Sequence, residues 1–322
     1  MIRRSILILC AFASCLATGH AAAQAKWPER PVRLVVPYPP GGISDALGRM
    51  VGRSLEKDLG QPVVVENKPG AGSNIGSEFV AKSAPDGYTI LLGSSANSVN
   101  MSLYRKLGYD TARDFAPVSL LADVPNVLVV NAAFPARSVA ELVDMARKQP
   151  DELSFASAGS GSPAHLAAEQ FNRLAGIKLR HIAYKGAGPA ITDVMAGHVP
   201  IMFTNLSAVF GGIESGKLRL LAVGGKTRWP SFPDVPTVAE AGVPGYEASA
   251  WYGLMVPTGT PAAVTARLQQ ALAGVRTPDV LEAIRKQGAE PVVSPPEFLA
   301  ARVAAELKAF ATLVRETGIT TE

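Results

Sequence analysis

Short apolar runs alternate with segments of helical periodicity along most of this chain. Apolar residues recur three and four positions apart at Leu47, Met50, Val51 and Leu55, and Gly60 ends this predicted helix. The predicted strands cover residues 32–36, 62–65, 88–92, 127–130, 153–156, 181–184, 200–203 and 218–223. The other predicted helices cover residues 139–146, 166–174, 191–195, 262–272, 279–286 and 296–315. Strands that alternate with helices predict an α/β fold with mainly parallel sheets.

The first 25 residues have the pattern of a secretory signal peptide. Residues 1–4 are short and basic, residues 5–16 are apolar, and residues 21–25 supply the small side chains of a cleavage site. The apolar run is too short to span a bilayer, which takes about 20 apolar residues. A lipoprotein cut at Cys15 is an alternative, although Phe12 stands three positions before it in place of leucine. We therefore expect cleavage near residue 25 and a protein of the periplasm.

Cleavage changes the composition that matters for function. Cys10 and Cys15 both lie in the leader, so the mature chain has no disulfide, no thiolate chemistry and no cysteine metal site. The formal net charge falls from +4 to +2 when Arg3 and Arg4 are removed, and no Lys/Arg cluster follows. A near-neutral chain without a basic patch does not predict nucleic-acid binding. The remaining chain of about 300 residues is large enough for two domains.

Two strand-following loops carry the strongest indication of a binding site. Residues 37–45 separate a strand from an amphipathic helix, and residues 157–163 do the same in the other half of the chain. In α/β sheets, ligands bind where loops lead from strand ends into helix N-termini. Backbone N–H groups there favour an anion, and glycines let the ligand approach closely. In the second loop, Ser162 suits the N-cap position and Pro163 the first helical position.

The chemistry of these loops indicates a carboxylate ligand. Neither loop contains Lys or Arg, and the same holds for residues 92–100, which we interpret as a third strand-following loop. Backbone N–H groups, hydroxyls and amides would then hold the anion, which favours a carboxylate over a polyphosphate. Asp45 is an acid beside this site. It either caps the helix start or contacts a ligand amine or a bridging water.

Other patterns give weaker indications of function. The glycines of residues 70–76 miss the spacing of a dinucleotide fingerprint, so we interpret this segment as a tight loop. Ser44 or Ser160 with His165 as base is the alternative reading, a serine hydrolase of small esters; a structural or adhesive envelope protein is a third. The histidines have no metal-ligand spacing. We interpret Lys185 as a solvated side chain, and residues 251–253 as either an aromatic cleft wall or a packed core pair.

Several motifs, in order along the mature chain, resemble those of the Bug family, the extracytoplasmic receptors of tripartite tricarboxylate transporters. They are Trp27-Pro28-Glu29-Arg30-Pro31-Val32, Pro39-Pro40-Gly41-Gly42 with Asp45, Glu66-Asn67-Lys68-Pro69-Gly70-Ala71-Gly72, Pro85-Asp86-Gly87-Tyr88-Thr89, Tyr184-Lys185-Gly186, Pro233-Asp234-Val235-Pro236-Thr237 and Trp251-Tyr252-Gly253. Pro39 and Ser44 stand where other residues also occur in the family, which bears on ligand choice and leaves the fold intact.

The resemblance implies a type II periplasmic-binding-protein fold, a Venus flytrap of two lobes joined by two crossing strands. We expect lobe 1 to comprise residues 27–122 and 251–322, and lobe 2 residues 123–250. It also implies a receptor rather than an enzyme, closing on a small carboxylate such as a di- or tricarboxylate, an amino acid or an aromatic acid. Membrane permease subunits are the expected protein partners of a monomeric receptor. No cofactor, metal or nucleic acid is expected.

The candidate ligand-binding residues lie on the loops that follow the predicted strands. They are Tyr38, Gly41, Gly42, Ser44, Asp45, Ser94, Ser95, Asn97, Ser157, Gly159, Ser160, Gly161, Ser162, His165, Tyr184 and Asn205. In the family that the chain resembles, the loop after the first strand and a Ser/Gly loop of the second lobe grip the ligand carboxylate, partly through water.

Overall fold

The computed structural model of this chain describes residues 27–319. The predicted signal peptide, with Cys10 and Cys15, lies outside the described residues. The strands are β1 (Val32–Val36), β2 (Val63–Asn67), β3 (Thr89–Ser94), β4 (Phe115–Asn131), β5 (Ser154–Ser157), β6 (Arg180–Ala183), β7 (Ile201–Asn205), β8 (Leu218–Val223), β9 (Ser249–Pro257) and β10 (Glu290–Pro291).

The α-helices pack on both sides of these strands. They are α1 (Ile43–Leu59), α2 (Asn74–Ala81), α3 (Ser95–Leu103), α4 (Thr111–Asp114), α5 (Val139–Lys148), α6 (Pro163–Ala175), α7 (Ala187–Ala196), α8 (Leu206–Glu214), α9 (Ala262–Ala271), α10 (Pro278–Lys286) and α11 (Pro296–Thr317). Short 3₁₀ turns cover Ala71–Ser73 and Leu272–Arg276. No helix within residues 27–319 has the length and apolarity that a bilayer span requires.

The strands form one sheet for each of two lobes. In the first lobe the order is β2-β1-β3-β9-β4, with β10 beside β4; in the second, β4 continues into β7, β5 and β6, with β8 also on β4. The outer strands β2, β1 and β3, and likewise β7, β5 and β6, are parallel. The described pairings of β4 and β9 are antiparallel. The expectation of mainly parallel sheets is therefore wrong at the centre, because strands that cross between lobes run against their neighbours.

One long strand, β4, belongs to both sheets. It pairs with β9 from Phe115 to Pro125, and with β7 from Asn126 onward. At the crossing, Asn126 donates its N–H to the carbonyl of Ala248 at 3.1 Å, and Gly224 donates its N–H to the carbonyl of Asn126 at 2.6 Å. A Cβ at Gly224 would stand 2.5 Å from the Ala248 carbonyl oxygen, so only glycine permits this approach of three segments.

Each sheet is buried on both faces. In the first lobe, Leu34 of β1 packs with Leu47 and Val51 of α1, whereas Val35 faces the opposite side toward Leu299 of α11. The second lobe repeats this alternation along β4. Residues 128 and 130 face helices α5 and α6, and residues 127 and 129 face α7 and α8. Period-two alternation under two helical layers accounts for the continuous apolar character of these strands.

The two lobes also touch through helices. Val99 and Leu103 of α3 and Leu313 of α11 form one buried cluster with Leu166, which lies in the first turn of α6. An ion pair at 3.6 Å joins Arg173 of α6 to Glu316 of α11. This cluster brings the first turn of α6 against α3.

Two segments that we predicted as loops are largely helical. Residues 92–100 contain no loop, because β3 extends to Ser94 and α3 begins at Ser95. The tight-loop interpretation of residues 70–76 holds only for the turn at Ala71–Ser73, after which α2 starts at Asn74. Helix α3 is rich in Ser and Asn, whose weak helical propensity hides it from a periodicity search.

Candidate functional site

The first loop, residues 37–45, leaves the end of β1 and enters α1. Gly41 adopts a φ of +92°, and its N–H donates to Asp45 Oδ2 at 3.1 Å. Gly41 and Gly42 are exposed, and no atom lies within 4 Å of the position that a Cβ would occupy at either residue. The backbone of this loop is therefore open to a ligand.

Asp45 holds the first loop in place. Its carboxylate accepts hydrogen bonds from Arg49 Nε at 3.1 Å and from Asn67 Nδ2 at 3.1 Å, besides the Gly41 N–H. Burial alone would raise the pKa of Asp45, but the hydrogen bonds from Arg49, Gly41 and Asn67 outweigh it and hold the pKa below its ordinary value. Gly41 lies before the first helical residue and α1 has no side-chain cap, so the carboxylate of Asp45 closes the loop rather than capping the helix. Ser44, its neighbour, is also buried.

Tyr38 connects the first loop to α3. Its hydroxyl lies 2.7 Å from Ser94 Oγ, and Ser94 caps α3 by accepting the Ala96 N–H. Asn97 completes a capping box, because its Oδ1 accepts the Ser94 N–H at 2.9 Å and its Nδ2 donates to Ser77. Ser95 is buried too. The Asn97 side chain is fully buried and both ends of its amide form hydrogen bonds, and its contact with a ligand stays a prediction.

Tyr252 lies beside this cluster and is absent from the candidate residues. It stands opposite Ser94 in the β3–β9 ladder and is 7% exposed, whereas Trp251 is fully buried and donates Nε1–H to Glu306 at 2.7 Å. Burial raises the pKa of the Tyr252 hydroxyl, and the nearby Tyr38 adds to this effect. Alternation along β9 thus separates the pair, with Trp251 in the core and Tyr252 beside Ser94. The sequence analysis did not predict strand β9, and without that strand it could not tell which face each of these two side chains would occupy.

The second loop, residues 157–163, leads from β5 into α6. Ser162 caps α6 by accepting the His165 N–H at 3.3 Å, and Pro163 is the first helical residue, which confirms both predictions. Gly159 and Gly161 have φ of +135° and +73°, a region that favours glycine. Ser160, between them, is exposed and has no hydrogen-bond partner anywhere in residues 27–319. Its N–H and hydroxyl are free for a ligand.

The histidines lie under the second loop. His165 is buried, and its Nδ1 accepts the Gly161 N–H at 3.0 Å rather than a serine hydroxyl. His181 Nε2 lies 2.6 Å from Ser157 Oγ, a separation that a nucleophile and its base would have. Ser157, however, is fully buried and also accepts the Gly159 N–H. A substrate could not reach its hydroxyl, so the geometry does not favour the hydrolase alternative.

The remaining candidates border the second lobe's strand ends. Tyr184 follows β6 and donates its hydroxyl to Asp193 Oδ2 at 2.7 Å; burial and this carboxylate raise the pKa of Tyr184 to about 12. Lys185 is exposed, as interpreted. Asn205 ends β7 opposite Asn126, and its half-buried side chain makes no hydrogen bond to any residue that the structure describes.

A chain of contacts relates the two loops. Tyr38 of the first loop bonds Ser94, Ser94 begins α3, and Val99 of α3 packs on Leu166 of α6. Because α6 starts directly after the second loop, both loops border the boundary between the lobes. Among residues 27–319, no group of His, Cys, Asp or Glu side chains could hold a metal ion.

Comparisons with known proteins show which family and which solved structures this chain is similar to. The model of the "Tripartite tricarboxylate transporter family receptor" matches residues 47–319. Protein BugT of Bordetella pertussis is 41% identical over 309 residues, which cover 94% of this chain and 95% of BugT. R. palustris Rpa4515 with adipate has a TM-score of 0.78 at 38% identity, covering 91% of this chain and 99% of that one. MatC from Rhodopseudomonas palustris with bound malate has a TM-score of 0.75 at 33% identity, covering 89% and 100%.

Proposed function

The chain belongs to the tripartite tricarboxylate transporter family of receptors, and from this premise we propose which ligand it takes and how it holds it. It is a periplasmic solute-binding receptor. Adipate and malate, the ligands of two similar structures, are both small dicarboxylates. We propose that this receptor also captures a small carboxylate, drawn from the di- and tricarboxylates, amino acids and aromatic acids.

The single observation that carries this proposal is the free polar backbone at Ser160. Its N–H and hydroxyl have no partner in residues 27–319, and α6 begins three residues later, at Pro163. A carboxylate accepts hydrogen bonds from such donors, and the positive end of the helix adds to the attraction. A Kd near 1 μM corresponds to about 8 kcal/mol, which several charge-assisted hydrogen bonds in a desolvated cleft could supply.

The first loop supplies the opposite wall in this proposal. Gly41 and Gly42 have open space before them, and the Tyr38 hydroxyl in the same loop bonds Ser94, which stands opposite Tyr252. Some of these contacts would pass through water. We propose lobe limits at residues 27–122 with 251–322, and at 123–250. Because a ligand can touch both loops only when the lobes approach, binding would shift the population toward a closed form.

The remaining parts of the proposal concern location, partners and turnover. We propose that residues 1–25 direct export and are removed, and that the receptor acts as a monomer. The closed form would deliver the ligand to the membrane permease subunits of a tripartite transporter. The receptor would leave its ligand chemically unchanged; the burial of Ser157 and the bond from the Gly161 N–H to His165 Nδ1 support this part of the proposal.

A ligand panel tests this function. Thermal melts with mono- and dicarboxylates, including adipate and malate, should show stabilisation for a few members. A ligand at a hundredfold excess over Kd adds about 2.7 kcal/mol to the free energy of unfolding, which raises Tm by a few degrees in a protein of this size. Calorimetry should then give the Kd, with mass spectrometry showing the ligand intact. Consumption of the ligand, or stabilisation by phosphorylated compounds and by no carboxylate, would contradict the proposal.

A further inference from the structure

Two imidazole rings lie stacked behind the second loop. The ring centroids of His165 and His181 are 3.7 Å apart, and the ring planes differ by 12°. His165 belongs to the first turn of α6 and His181 to β6. The His181 ring also stacks on Phe155 of β5, with centroids 5.0 Å apart. The pair thus lies where α6 packs on the sheet of the second lobe, with His165 buried and His181 half-buried.

Each ring holds one of the two left-handed glycines of the second loop. Gly161 donates its N–H to His165 Nδ1 at 3.0 Å. His181 Nε2 lies 2.6 Å from Ser157 Oγ, and this same oxygen accepts the Gly159 N–H at 3.1 Å. The backbone is therefore fixed on both sides of Ser160, directly by one imidazole and through a serine hydroxyl by the other.

We propose that His165 and His181 are positioning residues for ligand capture, which hold Gly159 and Gly161 so that Ser160 presents its N–H and hydroxyl to a carboxylate. This inference rests on the proposed function of the second loop. The two histidines act through the loop and have no contact of their own with the ligand. They replace solvent beneath a turn whose glycines would otherwise sample many backbone conformations, which reduces the entropy lost on binding.

The pair does this in its neutral form. The bond from Gly161 requires an unprotonated Nδ1 on His165, which places the proton on Nε2, 3.7 Å from Glu169 Oε1. The titratable groups that face His181 are His165 and Glu169, both on α6, while β5 contributes the uncharged Phe155 and Ser157. Burial and His165 lower the pKa of His181 to about 4, against the opposing effect of Glu169. Protonating both rings would place two cations in stacked contact.

Substitutions that keep or remove the polar atoms test the proposal. His165→Asn keeps an acceptor near the Nδ1 position, and His181→Gln keeps a polar atom near the Nε2 position, whereas leucine at either site removes it. Calorimetry with malate and adipate as probes should give affinities within about threefold of the unmodified protein for His165→Asn and His181→Gln. Both leucine variants should lose about tenfold or more, because the Gly161 N–H loses its acceptor in one and Ser157 Oγ loses its imidazole contact in the other. The exposed His198→Gln is the matched control.

A ligand-free measurement separates this inference from the proposed function. Amide hydrogen exchange at Gly159 and Gly161 should be slow in the unmodified protein, remain slow with His165→Asn and His181→Gln, and become fast at the matching glycine in each leucine variant. Unchanged affinity in the leucine variants would overturn the inference, and so would an equal loss in the polar and leucine variants. If the unmodified protein binds neither malate nor adipate, the wider carboxylate panel tests the proposed function, which fails if no carboxylate binds. The amide exchange rates at Gly159 and Gly161 then test the positioning role alone, and equal rates in all variants overturn it.

Discussion

The guanidinium of Arg302 lies 3.1 Å from the Glu247 carboxylate, and this ion pair ties helix α11 to the segment that enters β9. The same guanidinium contacts Glu306 at 2.6 Å and donates to Ser249 Oγ at 2.7 Å. Burial raises the pKa of Glu306 in spite of Arg302, which lowers it. The buried Glu306 carboxylate therefore depends on Arg302 for its cation, whereas Glu247 also has Lys226 at 3.6 Å.

Removing that cation should cost stability. Arg302→Met leaves the buried Glu306 carboxylate without a cation while keeping much of the side-chain volume. We expect the free energy of unfolding to fall by about 3 kcal/mol, the usual cost of breaking a buried pair from one side. Urea unfolding measures it. The exposed pair of Arg228 and Glu240 serves as control, since Arg228→Met should cost below about 1 kcal/mol. Equal losses for the two variants would contradict the expectation.

The close approach at the crossing predicts a difference between two adjacent glycines. A Cβ at Gly224 would meet the Ala248 carbonyl oxygen at 2.5 Å and the Asn126 carbonyl oxygen at 2.9 Å, whereas at Gly225 the nearest atom is 3.5 Å away. Gly224→Ala should reduce the free energy of unfolding by about 1–3 kcal/mol through overpacking. Gly225→Ala should leave it nearly unchanged. The prediction fails if denaturant midpoints of the two variants coincide.

A substitution at Gly42 should change ligand affinity without changing the stability of the fold. It has an ordinary negative φ of −89°, and a Cβ there meets no atom within 4 Å. Gly42→Val should therefore leave Tm nearly unchanged but weaken carboxylate binding by about tenfold or more, since its side chain would stand where the ligand approaches. Gly159→Val is less informative, because Gly159 has a φ of +135° and the new side chain strains the loop itself.

Gly211→Ala is the control for this experiment, because Gly211 lies in α8 and also has open space around it. Calorimetry and thermal melts on the same samples compare the two variants. Full affinity in Gly42→Val would place the ligand away from the first loop.

Acid should loosen the first loop through Asp45. Its pKa in the folded protein is held below the ordinary value of 3.8, so the carboxylate adds stability above that pH. This contribution is lost as the pH falls through the lowered pKa, because protonation ends the ion pair with Arg49. The free-energy cost of Asp45→Asn, from urea unfolding, should be large at pH 6 and smaller at pH 3. Arg49→Met should show the same trend; a pH-independent cost for both would contradict this role.

Periodicity predicted most of the fold, and its failures have physical causes. Helix α1 ends at Gly60 as expected, and β8 matches its predicted limits. The first half of β4 was missed because Pro117 and Pro125 argue against a central strand. A bulge beside Pro117 accommodates it in the sheet. The predicted lobe limits at residues 122 and 250 stay a prediction.

The parts of the candidate site that depend on local backbone chemistry could be predicted from the sequence. The parts that depend on tertiary contacts could not. Glycine and serine patterns located both loops, and Ser162 caps its helix as predicted. The stacking of His181 on His165 could not be foreseen, since it joins β6 to α6 through packing. The role of Asp45 needed Asn67 from a neighbouring strand. Such partners are distant in sequence and adjacent only after folding.

Strand β4 runs without a break through both lobes, and this limits how the lobes can move relative to each other. A strand of 17 residues extends roughly 55 Å, and its ladders on either side of Asn126 prevent the lobes from sliding apart. Bending of β4 between Pro125 and Asn126 would keep both its pairing with β9 and its pairing with β7 intact. A rotation of a few degrees at this point would displace each atom in proportion to its distance from the bend. If ligand binding closes the lobes as proposed, surfaces far from Pro125 would move further than those near the ligand.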